Sequence, residues 1–240
     1  MPNNQLTKKQ LEILQLLHKY RFLTRHHIQR LLNHKKHTRT NTWLLNLTKL
    51  EYVNRIYERT RLGTSTPAIY FLNSNSLTIL VQHHGLSRPA MKWVYKETNR
   101  SQKFMDHCMT IAEMYLHYRA HTTKLTFLTK SEMLHIEHRP NPIPDAYVIT
   151  NTAKKTKRYF LYLIDQGVPR YAMRNMLSKC VEYQEDGEWT KQTGLPFPEV
   201  LLVCPNYQVQ KYLVWHTKQL QEDQGVSILF NIIQNPYNYH

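Results

Sequence analysis

The stretch KKHTRTNTW, residues 35–43, decides the fold of the first third of this chain. If a helix runs through this stretch and on to Leu50, with a rotation of 100° per residue, its apolar side chains fall on one face. That face comprises Thr40, Trp43, Leu44, Leu47 and Leu50. The opposite face carries hydroxyl, amide and ammonium groups, from Thr38, Asn41, Thr42 and Lys49. The stretch therefore predicts a helix that buries one side and presents polar groups on the other.

Two further helices are predicted before this one. Apolar residues recur at helical spacing over residues 11–20, and Thr7 precedes them as a candidate N-cap. Thr24 can cap a second, short helix that ends near residues 33–34. Only a few residues separate these two helices, which is typical of a helix-turn-helix.

A β-hairpin is predicted to follow the third helix. Residues 52–57 alternate between apolar and polar side chains, and residues 67–72 form a second candidate strand. The tip between them carries Arg59 and Arg61. Three helices and a hairpin predict a winged helix-turn-helix domain over residues 1–84, with residues 76–84 as its closing helix.

Positive charge is concentrated in this first part of the chain. Residues 1–72 hold 13 lysines and arginines against three acids, whereas residues 101–240 hold 15 against 13. This asymmetry favours a polyanionic partner, namely double-stranded DNA, over a protein-binding module. We expect base-edge contacts from Arg39, Asn41 and Thr42. Phosphate contacts are expected from Lys35, Lys36, Thr38 and Lys49, and wing contacts from Arg59 and Arg61.

Several other classes of protein are disfavoured by the sequence. No window approaches the 18 or so consecutive apolar residues of a membrane span, and residues 1–4 do not begin a signal peptide. We therefore expect a cytoplasmic protein that does not bind membranes. The three cysteines have neither the number nor the spacing of a disulfide framework or zinc knuckle. No metal site is predicted, and the scattered glycines form no nucleotide-binding loop.

The remainder of the chain predicts a second domain. Residues 85–100 are basic, contain isolated aromatic residues and are interpreted as a linker. Helix and strand patterns then alternate over residues 101–240, which predicts a layered α/β domain. Its expected strands are residues 124–129, 132–138, 145–150, 158–164, 199–204 and 226–232. The chain is thus predicted to be an α+β protein of two domains.

Three short motifs in the second domain carry a family resemblance. They are Pro144-Asp145-Ala146, the segment YLIDQG at residues 162–167, and Lys179 with Tyr183 four residues later. With these, the chain resembles the replication-relaxation family of plasmid and mobile-element proteins. The resemblance implies a winged helix joined to a domain similar to the PD-(D/E)xK restriction-endonuclease fold, with a central mixed sheet.

The motifs depart from the pattern of an active nuclease. Leu163 stands where the resemblance places an acid, and Gln166 where it often places a basic residue. Loss of one metal-binding carboxylate weakens the binding of a hard cation, so we expect no catalytic residues and no cofactor. The vestigial nuclease-like residues are Glu132, Asp145, Asp165 and Lys179. Lys179 is expected to be solvated and Tyr183 to pack on the sheet.

The resulting hypothesis is a double-stranded DNA-binding protein of a plasmid or mobile element, acting in replication, mobilisation or its control. One alternative is a DNA nuclease that uses Mg²⁺ or Mn²⁺ bound by Asp145 with a carboxylate of Glu132, Glu137 or Asp165. A second alternative is a winged-helix transcriptional regulator that binds a palindrome as a homodimer. Plasmid replication or mobilisation proteins are further candidate partners.

Overall fold

The computed structural model describes residues 6–57, 67–136, 140–151 and 156–237. The chain divides into two compact units, Met1–Leu116 and His117–His240. Within the described residues, no helix has the length and apolar character needed to cross a membrane.

The first unit begins with the three predicted helices. They are α1 (Lys8–Tyr20), α2 (Arg25–Leu31) and α3 (His37–Lys49). The two predicted threonine caps are present, and each belongs to a capping box. The Thr7 hydroxyl accepts the backbone N–H of Gln10, and the Gln10 side chain accepts the backbone N–H of Thr7. In the second box, His27 takes the position usually held by Glu or Gln.

A small antiparallel sheet completes this part of the unit. The predicted hairpin strands are β2 (Val53–Ile56) and β3 (Ile69–Leu72), with Val53 opposite Leu72. A two-residue strand, β1 (Leu23–Thr24), pairs with the other edge of β3, giving the order β1-β3-β2. The predicted closing helix is α4 (Ser76–His84). Its Leu77 and Leu80 are buried, whereas Val81 is exposed.

Residues 85–100, interpreted from the sequence as a linker, contain a 3-10 helix at Pro89–Asn99. Its buried residues are spaced three apart, at Met91, Val94 and Glu97. Three residues per turn place these side chains on one face, which explains the tighter helix. The face packs within the first unit, and this unit extends to Leu116. The following helix, α5 (Gln102–His121), therefore begins in the first unit and ends in the second.

The second unit contains a five-stranded sheet and four helices among the described residues. In chain order they are β4 (Lys124–Thr129), α6 (Lys130–Met133), β5 (Ala146–Asn151), β6 (Thr156–Leu163), α7 (Arg170–Glu185), α8 (Glu188–Thr193), β7 (Glu199–Cys204), α9 (Tyr207–Gln224) and β8 (Phe230–Gln234). The strands follow this order across the sheet. The pairs β4-β5 and β5-β6 are antiparallel, whereas β6-β7 and β7-β8 are parallel. The sheet is therefore mixed.

One predicted strand of this unit was wrong. Residues 130–133 form the short helix α6, and residues 134–135 form a turn. Thr129 and Glu132 make a capping box that starts this helix, so a local hydrogen-bond motif outweighs the strand propensity of the segment. Residues 137–139 lie outside the described residues. The core of the unit surrounds the buried strands β6 and β7.

Candidate DNA-binding surface

The polar face of α3 is open to solvent along its length. All seven candidate contact residues on and before this helix are exposed: Lys35, Lys36, Thr38, Arg39, Asn41, Thr42 and Lys49. The opposite face is buried at Thr40, Leu44 and Leu47, and partly buried at Trp43 and Leu50. The wing candidates Arg59 and Arg61 lie outside the described residues. The helix thus has the two-sided character that its sequence predicts.

The buried face of α3 packs against the core of the first unit. Its buried side chains face α1, α2 and β2, and Leu44 and Leu47 belong to the buried core of the unit. Deleting either side chain leaves a cavity that typically costs about 2 to 5 kcal/mol. The packing therefore fixes which face of α3 points to solvent.

The turn before α3 is held by two side chains that sequence reasoning missed. The Gln29 amide donates to the carbonyl oxygen of Lys35 at 3.3 Å. The Nδ1 atom of His34 lies 3.0 Å from the carbonyl oxygen of Lys36. A carbonyl only accepts, so Nδ1 carries the proton in this contact. These bonds position the backbone of both lysines. The signal available in the sequence was the pair of polar residues Gln29 and His34 near the end of α2, where backbone groups lack partners within the helix.

Local contacts also orient two of the candidate side chains. The Arg39 guanidinium lies 5.9 Å from the ring centroid of Trp43, and His34 meets the same ring edge-on at 5.1 Å. The Thr42 hydroxyl donates to the backbone carbonyl of Thr38 at 3.1 Å. In this geometry Thr42 offers its oxygen as an acceptor, and the side chain of Arg39 remains exposed.

Helix α2 is braced by a buried carboxylate of α5. The Nε2 atom of His27 lies 3.1 Å from Oε1 of Glu113, and the Arg30 guanidinium contacts the same oxygen. The backbone N–H of Thr24 donates to Nδ1 of His27 at 3.1 Å. Since Nδ1 accepts, Nε2 carries the proton that is directed at Glu113. One imidazole thus caps α2 and ties it to α5.

The environment of Glu113 favours its charged form. Burial alone raises the pKa of this carboxyl, but the hydrogen bond and electrostatic attraction from His27, together with the positive charge of Arg30, lower it further than burial raises it. The net pKa is below the ordinary value. Glu113 therefore stays ionised and remains paired with α2 at neutral pH.

A second buried carboxylate anchors the end of α1. Glu97 is fully buried. Its carboxylate accepts a hydrogen bond from Nε of Arg21 at 3.2 Å and a second one from the same guanidinium. It also pairs with Nε of Arg100 at 3.3 Å. The Arg21 guanidinium also lies 4.6 Å from the Trp93 ring centroid and 4.5 Å from that of Phe104. A bidentate, stacked pair of this kind has little freedom to move.

Helices α2 and α3 contain no acidic residue, in a unit that is strongly basic. Residues 1–116 carry 18 lysines and arginines against six acids. Glu97 and Glu113 are buried in ion pairs. Two of the six acids are therefore neutralised in the interior of the unit, and the cations of α3 have no acid on the same helix.

The acids of the nuclease-like motifs make structural contacts in the second unit. A carboxylate oxygen of Asp145 accepts the backbone N–H of Leu163 at 2.9 Å. A carboxylate oxygen of Glu132 accepts the backbone N–H and hydroxyl of Thr129, at 2.8 and 3.1 Å. Asp165 is partly buried at the turn after β6. No group of three or more His, Cys, Asp or Glu side chains is arranged to hold a metal ion in the parts of the chain that the structure describes.

Leu163, at the position of the acid expected by resemblance, is buried. Lys179 is exposed whereas Tyr183 is buried, so these two side chains of α7 face different surroundings, as we expected. Burial raises the pKa of the nearby Cys180 thiol to about 11, although its hydrogen bond with Tyr162 lowers it slightly. The Cys180 thiol is therefore protonated at neutral pH.

Comparison with known proteins gives one family match. The family described as replication-relaxation matches residues 14–197. No curated protein matches the chain. Among solved structures, the adhesin competence repressor AdcR from Streptococcus pyogenes is 18% identical with a TM-score of 0.30, and covers 49% of this chain and 82% of its own. ZitR from Lactococcus lactis is 15% identical with a TM-score of 0.29, and covers 50% and 77% respectively.

Proposed function

The chain belongs to the replication-relaxation family, and from this premise we propose that it is a replication-related protein that binds double-stranded DNA through the exposed face of α3. The observation that carries the proposal is the cationic, acid-free face described above. Its seven candidate residues are all exposed, while the apolar side of the same helix is buried. An α-helix fits the major groove of B-DNA, where such side chains reach base edges.

Each part of the face has a distinct role in this proposal. Arg39 donates to guanine, Asn41 pairs with adenine, and Thr42 accepts from a base amino group. Lys35 and Lys36 precede the first turn of α3, where backbone N–H groups and the helix dipole also favour a phosphate. Thr38 and Lys49 contact the flanking backbone. The wing arginines Arg59 and Arg61 are proposed to add phosphate or minor-groove contacts.

For the second unit we propose a nuclease-like scaffold that does not cleave DNA. The support is that Asp145 and Glu132 satisfy backbone N–H groups and that Leu163 occupies the position of the missing acid. The protein would then act by binding, in replication or mobilisation of a plasmid or mobile element or in its control. A dimer on a palindromic site would instead indicate transcriptional regulation.

Selection of bound fragments from a random duplex pool tests the proposal. The parent is expected to enrich one motif, and its symmetry reports the stoichiometry. An Arg39→Ala/Asn41→Ala variant should lose the preference for that motif. The matched control, Lys191→Ala/Gln192→Ala, removes one cation and one amide from exposed positions of α8 and should bind as the parent does. Equal binding of motif and random duplex by the parent and the α3 variant would refute the assignment.

The same protein incubated with supercoiled plasmid and Mg²⁺ or Mn²⁺ tests the nuclease alternative. Retarded but intact plasmid is expected. Nicked or linear product that disappears in an Asp145→Ala variant would establish catalysis instead.

A further inference from the structure

The second unit carries a basic surface that the duplex-binding proposal does not use. It is formed by the first parts of α7 and α9, residues 170–181 and 207–221, which contain five lysines and arginines and no acid. We call it the α7–α9 surface and define it by six residues: Arg170, Tyr171, Arg174, Lys211, Tyr212 and Trp215. All six are exposed except Tyr212, which is partly buried.

Side-chain contacts show that the two helices lie next to each other here. The Arg170 guanidinium lies 4.6 Å from the ring centroid of Tyr212, and the Arg174 guanidinium donates to the Tyr212 hydroxyl at 3.3 Å. Asn206, the N-cap of α9, donates to the side chain of Gln166 at 3.0 Å. The surface therefore adjoins the turn after β6, at the carboxyl end of the parallel strands, where both helices begin.

Aromatic rings are gathered on α9 within this surface. The planes of Tyr212 and His216 are 7° apart with centroids at 6.0 Å. The ring centroid of Trp215 lies 6.3 Å from each of these two rings. Burial lowers the pKa of His216, and the positive charge of Arg174 lowers it further. The His216 ring is therefore neutral at pH 7, and the charge of the surface comes from its arginines and lysines.

Trp215 is used differently from the buried tryptophan of the same unit. Trp189 is 6% exposed, and its indole N–H donates to the Pro196 carbonyl at 3.1 Å. Trp215 is 57% exposed, so most of its ring contributes nothing to the core. Large aromatic surface left in water at a site with surrounding cations is typical of a binding surface rather than of packing.

We propose that the α7–α9 surface binds an unpaired DNA strand. Arginine and lysine side chains attract the phosphates, and exposed rings stack on bases. A duplex buries its base faces, so an exposed indole favours a single strand over a double one. The six residues that define the surface include three cations and no acid, which disfavours a basic protein partner. The chemistry requires only an unpaired strand, and the choice of DNA over RNA rests on the proposed function.

Fluorescence anisotropy with a 5′-labelled oligothymidylate of about 20 nucleotides tests the proposal in the full chain. Trp215→Ala and Arg174→Ala are each expected to weaken binding by about tenfold or more. Val214→Ala, an exposed apolar position next to Trp215, should bind within twofold of the parent by the same reasoning. Stacking should also quench indole emission in the parent, and Trp215→Phe should remove this quenching while largely preserving affinity.

The outcomes separate this proposal from the duplex-binding one. An Arg39→Ala/Asn41→Ala variant is expected to lose its preference for the selected duplex motif and to bind oligothymidylate as the parent does. The proposal is overturned if Trp215→Ala binds the oligonucleotide as tightly as the parent with no quenching in either protein. It is also overturned if sedimentation shows a parent dimer that Trp215→Ala dissociates while oligonucleotide affinity stays unchanged, because the surface would then be an interface between two copies of this chain.

Discussion

The imidazole of His27 joins the backbone of Thr24 to the carboxylate of Glu113, accepting at Nδ1 and donating at Nε2. Arg30 and Glu113, which share this cluster, are 83 residues apart in sequence. The contact ties α2 to α5. The orientation of α2 therefore depends on a residue far outside the predicted winged-helix segment.

Replacing Glu113 with Gln should lower the free energy of unfolding at neutral pH. It should also make that free energy depend less on pH. The folded pKa of Glu113 is below its ordinary value of 4.5, so its ionisation stabilises the fold above that pH and is lost as the pH falls through the folded pKa. Urea denaturation at pH 7 should show a loss of about 1 to 3 kcal/mol. The parent should also lose more stability than Glu113→Gln between about pH 6 and pH 3. Parallel pH profiles for the two proteins would contradict the assignment.

Removal of the Thr24 cap should destabilise the first unit. Its hydroxyl accepts the backbone N–H of His27 at 3.3 Å, and loss of such a cap costs about 1 kcal/mol, with a range near 0.5 to 2. We expect Thr24→Ala to show this loss in thermal or urea unfolding. Thr24→Ser retains the hydroxyl and serves as the control, so an equal loss in both variants would show that the hydroxyl is not responsible.

The dependence of duplex affinity on salt concentration should distinguish phosphate contacts from base contacts. For B-DNA, log affinity falls with log salt by about 0.9 per neutralised phosphate. Lys35→Ala/Lys36→Ala should therefore reduce the magnitude of this slope by about 1 to 2 and weaken all duplexes alike. Asn41→Ala should reduce discrimination between sequences with the slope unchanged. Filter binding across a salt series measures both, and a reduced slope in Asn41→Ala would reverse the assigned roles.

Asp145 should contribute to stability through the backbone of β6. Asp145→Ala leaves the N–H of Leu163 without this acceptor, and an unsatisfied buried group costs about 1 to 3 kcal/mol. Lys179→Ala is the control because the side chain is exposed, and its effect should stay within about 0.5 kcal/mol. Urea denaturation measures the free energy of unfolding of both variants. An Asp145→Ala protein as stable as the control would show that this hydrogen bond contributes little to stability.

Local signals were sufficient for the first three helices. Threonine caps and apolar spacing predicted α1, α2 and the two faces of α3, because hydrogen bonds at a helix end and burial of one stripe depend on residues close in sequence. The same kind of signal was missed at residues 130–133. There the Thr129–Glu132 capping box produced a helix in a segment predicted as strand.

Segments whose structure depends on distant partners were predicted poorly. The two residues of β1 become a strand because β3 lies beside them, and nothing in a two-residue stretch indicates this. The 3-10 helix at Pro89–Asn99 replaces the expected linker because Glu97 pairs with Arg21. Its sequence alone shows basic residues and isolated aromatic rings.

The amino-acid sequence by itself determined that α3 is amphipathic, that its polar face is cationic and where most strands and helices lie, since all three follow from short-range periodicity and residue charge. Only the tertiary structure decided that the Asp145 carboxylate accepts a hydrogen bond from the backbone of β6 and that Glu113 pairs with His27 and Arg30 of α2. It alone brought the cations of α7 next to the aromatic rings of α9. These contacts join residues far apart in the chain, and their geometry is set by how helices and strands pack against one another.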